Sequence, residues 1–366
     1  MLPADKVFRL EGSQSVSNGV GQGDWLEGMK KSATLTEVAA MAGVSKMTAS
    51  RALRDGRDVS AANVTKVRNA AQELGYVGNH LAASLSSRRS DLIGVVVPNL
   101  ENIVFAQVLA GISEGISGSG LQPAFGVTDY DPDKEYEIIR SMLSWHPAGL
   151  IVTGLDQSEL TRRLLENAGI PVVQIMDLDG KPLDACVGFS HVAAGVAIAE
   201  ALLATGRRRF GYVGCGLDLD TRAAKRLKGF HDALQRAGLE FAGMATSPEL
   251  SSIATGRKLT SELLEKSADL DCIYFSNDDM AAGGLFYCLD AGISVPEKVA
   301  LAGFNGLGVA DGFPGRIATS RTPRKEIGDR AAGLLIAALS KQQGDASAII
   351  ELVPEVDLGL LIDSSI

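Results

Sequence analysis

The chain has 366 residues, 46% of them hydrophobic, and carries a formal net charge of −9. That length implies two or three domains around a sizeable core, and the composition excludes a wholly disordered polymer. No apolar run approaches the roughly 18 residues of a membrane span, and the opening stretch lacks the apolar segment of a signal peptide.

Residues 1–32 are rich in Gly and Ser, show no periodicity and read as a disordered extension, with Met29 as a second candidate start. Between Lys30 and Ser90 the chain holds ten Lys/Arg against four Asp/Glu, so the remainder carries −15. A compact basic module on an acidic body fits a part that meets a polyanion and a part that does not.

Residues 33–77 read as three short helices. Thr34 and Glu37 in "TLTE" form a capping box ahead of the first. Gly43 then allows a sharp turn, and Ser45 caps "KMTASRAL". Ser60 caps a third helix, closed by Gly75, in which Val64, Val67, Ala71 and Leu74 recur at helical spacing. Helix, tight turn, helix and a supporting helix make the helix-turn-helix pattern. With Ala49 and Leu53 inward, the second helix turns Lys46, Met47, Ser50 and Arg51 outward at its N-terminal end. That end enters the major groove, where Lys or Arg reads guanine and Met meets a thymine methyl. Thr48, Arg54 and Arg57 are placed to hold phosphates, which fix register without reading bases.

Residues 78–90 form a linker with a weak helical stretch. From Leu92 onward, short apolar, β-branched runs such as "LIGVVVPNL", "AGLIVTG" and "RFGYVGC" alternate with helical segments, one capped by Asp131 with Pro132 at its first position. Alternation of this kind implies parallel sheets buried on both faces, and the number of runs implies two α/β subdomains. Ligands of such sheets bind beyond the strand C-termini, so the cleft between the sheets is the expected site. Cys186, Cys215, Cys272 and Cys288 are scattered and read as reduced, buried thiols, consistent with a cytoplasmic location.

Several motifs fail on inspection. "DYDPDKEYEIIR" has the aspartates of a calcium loop but Lys134 where Gly is needed and Arg140 in place of the closing Glu. "GVGQG" follows no strand, and the four histidines lack metal-ligand spacing. No catalytic constellation is present, so no enzyme, cofactor or metal is expected.

The stretch "TLTEVAAMAGVSKMTASRALRDGRDVSAANVTKVRNAAQELGYVGNHLAASL" resembles the DNA-binding head of the lactose/galactose repressor (LacI/GalR) family. The region after it resembles that family's periplasmic-binding-protein-like core, and the match spans about residues 33–362. Within the family, "VSKMTASR", "SMLSWHPAGLIVT" and "IPVVQIMDLDGKPLDACVGF" are similar to the gluconate-utilisation repressors. The resemblance implies a fold class of α/β type, with an all-α helix-turn-helix domain ahead of two doubly wound subdomains. The expected boundaries are a head at 33–77, a hinge at 78–90 and a core at 91–362. Within the core, 91–190 and 321–348 form the first subdomain, and 191–320 and 349–362 the second.

By the same resemblance, Lys46, Met47 and Arg51 are base-reading positions. Asn79, Ala82 and Leu85 match a hinge helix that folds on the operator, with Leu85 as a minor-groove wedge; docking of Leu85 on its own core is the other reading. Val104, Phe105, Asp177 and Arg226 match effector-contacting positions, and Arg222 lies one helical turn before Arg226. Two guanidiniums on one helical face suit a carboxylate; a solvated face paired with Asp218 or Asp220 is the alternative. Asn277, Asp278 and Asn305 are expected to meet hydroxyls at strand ends.

The resulting expectation is a repressor of gluconate catabolism genes, released from a pseudo-palindromic operator by gluconate or 6-phosphogluconate. The alternatives are a repressor of the same family answering 2-ketogluconate or a neutral sugar, a sugar-binding protein and a sugar-acid enzyme. Partners are double-stranded operator DNA, a small-molecule effector and a second copy in a homodimer. The chain shows no C-terminal tetramerisation heptad, and a nucleoid-associated cytoplasmic location follows.

Overall fold

The computed structural model describes residues 32–54, 56–77, 90–100, 103–312, 317–340 and 348–361. The head and the core are separate units, divided near residue 83. In the head, helices α1 (Leu35–Ala42), α2 (Lys46–Arg54) and α3 (Ala61–Glu73) begin at side-chain caps. The Thr34 hydroxyl accepts the Glu37 N–H and the Glu37 carboxylate accepts the Thr34 N–H, which satisfies donors a helix start leaves open. The Ser45 and Ser60 hydroxyls accept from the N–H groups of Thr48 and Asn63. A small core of Val38, Ala39, Ala49, Ala52, Val67, Ala70 and Ala71 holds the three helices together.

The core contains two six-stranded sheets among the described residues. In the first subdomain the chain runs β1 (Leu92–Val97), α4 (Ile103–Gly115), β2 (Gln122–Val127), α5 (Pro132–Ser144), β3 (Gly149–Thr153), α6 (Glu159–Glu166), β4 (Val172–Ile175) and β5 (Ala185–Gly188). It then crosses into α7 (His191–Ala204), β6 (Phe210–Cys215), α8 (Thr221–Arg236), β7 (Gly243–Ser247), α9 (Ile253–Lys266), β8 (Cys272–Phe275), α10 (Asp278–Asp290), β9 (Ala300–Ala302), α11 (Gly308–Asp311) and β10 (Ile317–Arg321). Helix α12 (Arg324–Leu339) and β11 (Ile349–Glu351) return to the first subdomain, and β12 (Glu355–Asp357) to the second. The sheet orders are β11-β5-β4-β3-β1-β2 and β12-β10-β9-β8-β6-β7, parallel throughout except for antiparallel β12.

One boundary differs from the expectation. Residues 349–362 were assigned to the second subdomain, but Ile349–Glu351 pair in parallel with Cys186–Gly188 and complete the first sheet. A parallel partner needs a crossover, and α12 supplies it. The chain rejoins the second sheet at β12.

The central strands of both sheets are buried on both faces. Along β1, Ile93, Val95 and Val97 enter one hydrophobic cluster and Val96 the opposite one; on β6, Phe210 and Tyr212 face away from Val213 and Cys215. All four cysteines are buried and unbridged. No helix among the described residues is long and apolar enough to cross a membrane.

Three helix pairs approach each other through glycine. A Cβ on Gly111 of α4 would lie 2.1 Å from the Lys325 carbonyl oxygen, and one on Gly328 of α12 would lie 2.1 Å from that of Val108. Gly195 and Gly229 let α7 and α8 touch backbone to backbone in the same way, as do Gly256 and Gly283 for α9 and α10. Gly333, also on α12, would place its Cβ in open space. Gly328→Ala is therefore expected to destabilise the protein by about 1–3 kcal/mol through overpacking. Gly333→Ala should stabilise it by about 0.5–1 kcal/mol through helix propensity. Thermal melts giving both variants the same sign would refute the packing account.

Candidate functional site

On α2 the apolar stripe of Ala49 and Ala52 is buried, which leaves Lys46, Met47, Ser50, Arg51 and Arg54 exposed and Thr48 half-buried. Met47 is 66% exposed, so its thioether is available to a partner surface. Among the described residues the first turn of α2 has no acidic residue, while its last turn carries Arg51 and Arg54. The face thus joins positive charge, a hydroxyl and an apolar tip. Asn79, Ala82 and Leu85 lie outside the described residues.

The second site is a cleft between the two subdomains of the core. The first subdomain contributes Val96, Val97 and Pro98 at the end of β1, Thr128, Tyr130, Asp131, Pro132 and Glu135 around the β2–α5 loop, and Thr153, Gly154, Asp156 and Gln157 at the end of β3. The second contributes Asp218, Leu219, Thr221 and Arg222 at the start of α8. All these segments lie at strand C-terminal ends, where parallel sheets present their loops. Asp129 and Tyr130 hold positive φ of 53° and 62°, backbone strain of a kind that collects at functional sites.

Arg222 is the central cation of the cleft. Its side chain is 11% exposed, stands 3.4 Å from Asp220 and lies over the rings of Phe105 and Tyr130 at 5.7 and 5.9 Å. It also reaches across the cleft, since a Cβ on Gly154 would be 3.5 Å from its Nη1. Burial pushes the Tyr130 phenol up to about 12, with Asp220 adding to the effect, so Tyr130 remains a neutral hydrogen-bonding group. Burial also pushes Glu135 up to about 7, against the pull of Arg222 and a hydrogen bond from Gln157.

One turn further along α8, Arg226 has a different environment. It is 5% exposed and does not line the cleft. Nη1 donates to His191 Nδ1 at 3.1 Å, Nη2 donates to the Ser276 carbonyl at 3.1 Å, and the guanidinium lies 4.3 Å from the Phe304 ring centre. His191 in turn donates from Nε2 to the Met176 carbonyl at 2.8 Å. Burial and the neighbouring Arg226 charge hold the imidazole well below its ordinary pKa, so it is neutral and accepts at Nδ1.

The other expected effector residues divide in the same way. Asn277 lines a smaller recess next to the cleft with Tyr130, Asp220, Ser251 and Ser276, and donates to the Ser251 hydroxyl at 2.8 Å. Phe105 touches Arg222 from the first subdomain core, in which Val104 is also packed. Asp278 is fully buried; its carboxylate accepts from the Leu307 N–H and the Thr319 hydroxyl, tying α10 to the β9 and β10 ends. Burial pushes it up to about 7, with those two hydrogen bonds opposing. Asn305, at φ 103°, has its carbonyl held by Arg324 and Thr322. Neither Asp278 nor Asn305 lines the cleft.

Asp177 is also fully buried, and its partner is Lys225, a residue missed by the sequence reading. Lys225 Nζ donates to Asp177 at 2.6 Å and to Asp156 at 2.8 Å, while the Thr221 hydroxyl donates to Asp156 at 2.9 Å. Burial raises the Asp177 carboxyl, and the Lys225 and Asp179 hydrogen bonds pull it back. Thus α8 of the second subdomain is pinned to the ends of β3 and β4 of the first. Tyr130, Glu135, Asp156 and Gln157 were missed as well. The available signal was their position just beyond β2 and β3.

The model of periplasmic binding proteins and the sugar binding domain of the LacI family matches residues 90–353, and that of bacterial regulatory proteins of the lacI family matches 34–79. The chain belongs to the LacI family. It is a DNA-binding transcriptional regulator with the head and core order of that family. The HTH-type transcriptional regulator GntR of Pseudomonas aeruginosa is 43% identical over 317 residues, covering 86% of this chain and 92% of that protein. A regulator of the same name from Escherichia coli is 38% identical over 308 residues, covering 84% and 92%. A LacI family regulator of known structure from Silicibacter pomeroyi superposes with a TM-score of 0.86 at 46% identity, covering 89% of this chain and 98% of that one.

In this family member the Lys225 bridge predicts a stability effect. Lys225→Met leaves a fully buried carboxylate unpaired and should cost about 3 kcal/mol. Adding Asp177→Asn removes that charge and should restore much of the loss. Denaturant melts in which Lys225→Met matches the parent would show that the bridge is solvent-screened and inert.

Proposed function

We propose that this regulator represses genes of sugar-acid catabolism and leaves a pseudo-palindromic operator when a carboxylate-bearing effector such as gluconate fills the cleft. The observation that carries the effector class is Arg222: a nearly buried guanidinium, flanked by two aromatic rings, on the wall of an inter-subdomain cleft. Arginine binds carboxylates through parallel N–H groups and keeps its charge when desolvated. Tyr130 beside it offers a hydroxyl to a polyol chain, while Gln157 and Asn277, held by protein partners, shape the wall around it. Arg226, engaged by His191 and Ser276, acts in this reading as a support for the cleft wall.

In the head, Lys46, Met47 and Arg51 read base edges with Ser50 on the same face, while Thr48, Arg54 and Arg57 set register on the backbone. One head covers a half-site, so a homodimer reads the operator. On the edge strands β2 and β7, Phe125 and Met244 are about half exposed and leave apolar surface that a second copy could cover. Effector and operator compete by linkage: an effector that favours a cleft arrangement unsuited to DNA weakens DNA binding by the ratio of its two affinities.

A neutral sugar is the second reading, favoured by the carboxylates of Asp131, Glu135, Asp156 and Asp218 in the lining. Fluorescence anisotropy on a promoter fragment separates the two. Arg222→Met should weaken the gluconate response about 10- to 100-fold, the worth of a charged hydrogen-bond set, and leave operator affinity unchanged. An unaltered response would remove Arg222 from the site, and release by neutral sugars alone would establish the second reading. Lys46→Ala should change base preference at one operator position; an equal loss on all sequences would make Lys46 a phosphate contact.

A further inference from the structure

The cleft presents a conflict of charge. Its lining holds Arg222 against Asp131, Glu135, Asp156 and Asp218, so an anion entering it meets more negative than positive charge. Two of these carboxylates are already engaged. Asp131 caps α5 by accepting from the N–H groups of Asp133 and Lys134, and Asp156 accepts from Thr221 and Lys225. Arg222 is itself close to Asp220, at 3.4 Å. A sugar acid therefore gains Arg222 only by sharing it, and a further ionised group beside the ligand would repel it.

Glu135 is that group. It projects from the first turn of α5 into the lining and interacts with both Arg222 and Gln157. Facing it are Arg222 from α8, Tyr130 and Asp131 from the β2–α5 loop, Asp156 and Gln157 from the loop after β3, and Asp218 from the loop after β6. Helix α6 packs against α5 but places none of its residues in the lining, and β1 contributes Val96 and Val97. Burial has already brought this carboxyl close to neutrality.

Resting on the effector reading above, we infer that a sugar acid binds this cleft together with one proton, which Glu135 takes up to become a hydrogen-bond donor to the ligand. The proton comes from solvent, the sugar acid stays ionised on Arg222, and the net charge of the cleft is unchanged by binding. The direction with pH follows. Below about pH 6 Glu135 is already protonated in the free cleft, so binding takes up no proton and affinity is flat. Above about pH 7 it is ionised, and affinity falls up to about tenfold per pH unit.

The test is calorimetric titration of the full chain with gluconate at about pH 6 and about pH 8, in buffers of different ionisation enthalpy. The expected result is uptake of nearly one proton at the higher pH and nearly none at the lower. Glu135→Gln, neutral at both, should bind with one affinity across the range and exchange no proton. Gluconate binding in the parent without uptake at the higher pH overturns the coupling and leaves the effector reading intact. Uptake that persists in Glu135→Gln assigns the proton elsewhere and overturns it too. If gluconate gives no binding at either pH, the effector reading fails and the coupling with it. The buffer series on the unaltered protein decides the matter even where Glu135→Gln does not fold.

Discussion

The ion pair of Lys225 with buried Asp177 is the contact on which the cleft depends. It joins a helix of one subdomain to a strand end of the other, and Asp156 gives the same ammonium a second acceptor. Taking an ammonium and a carboxylate from water costs several kcal/mol each, and the pair is maintained because both ions also have further hydrogen-bond partners. Such a pair contributes little net stability. Its value is geometric, because the two subdomains can separate only by exposing or orphaning Asp177. The distance between Arg222 and the loops after β2 and β3 is thereby set.

Helix α8 gives three cations three settings within five residues. Lys225 meets the carboxylates of the other subdomain, Arg222 faces the cleft, and Arg226 enters the core. Arg226 is surrounded by a neutral imidazole, a carbonyl and a phenyl face. Burial, reinforced by the Arg226 charge, keeps His191 neutral, and His191 in turn holds the Met176 carbonyl, at a residue with φ 73°. Met176 directly precedes Asp177. The buried arginine, through His191, and the ion pair therefore brace two adjacent residues, Met176 and Asp177.

Much of this was legible in the sequence where the determinants are local. The caps at Thr34, Ser45, Ser60 and Asp131 were readable because a helix start needs an acceptor within three residues. Strands β1, β3 and β6 were readable because burial on both faces demands continuous apolar runs. Strand β7, "GMATS", alternates half-buried and exposed residues at a sheet edge, and β11 and β12 have three residues each, so neither kind has such a run. Arg222 and Arg226 were correctly placed one turn apart, but their separate environments were not legible. Glu135 was dismissed with the failed calcium loop, although α5 begins at the cleft end of β2.

What separates the two arginines is the approach of α7. Both α7 and α8 begin at the cleft end of the second sheet, and Gly195 and Gly229 let their backbones touch. Gly195 faces the Arg226 carbonyl, so Arg226 lies level with the first turn of α7 and is covered by it. Arg222 is four residues earlier, about 6 Å along the axis at 1.5 Å per residue. That brings it level with the very start of α7, and it is Arg222, not Arg226, that lines the cleft. Gly195 and Gly229 thus bring α7 close enough to bury Arg226, while Arg222 stays on the cleft lining.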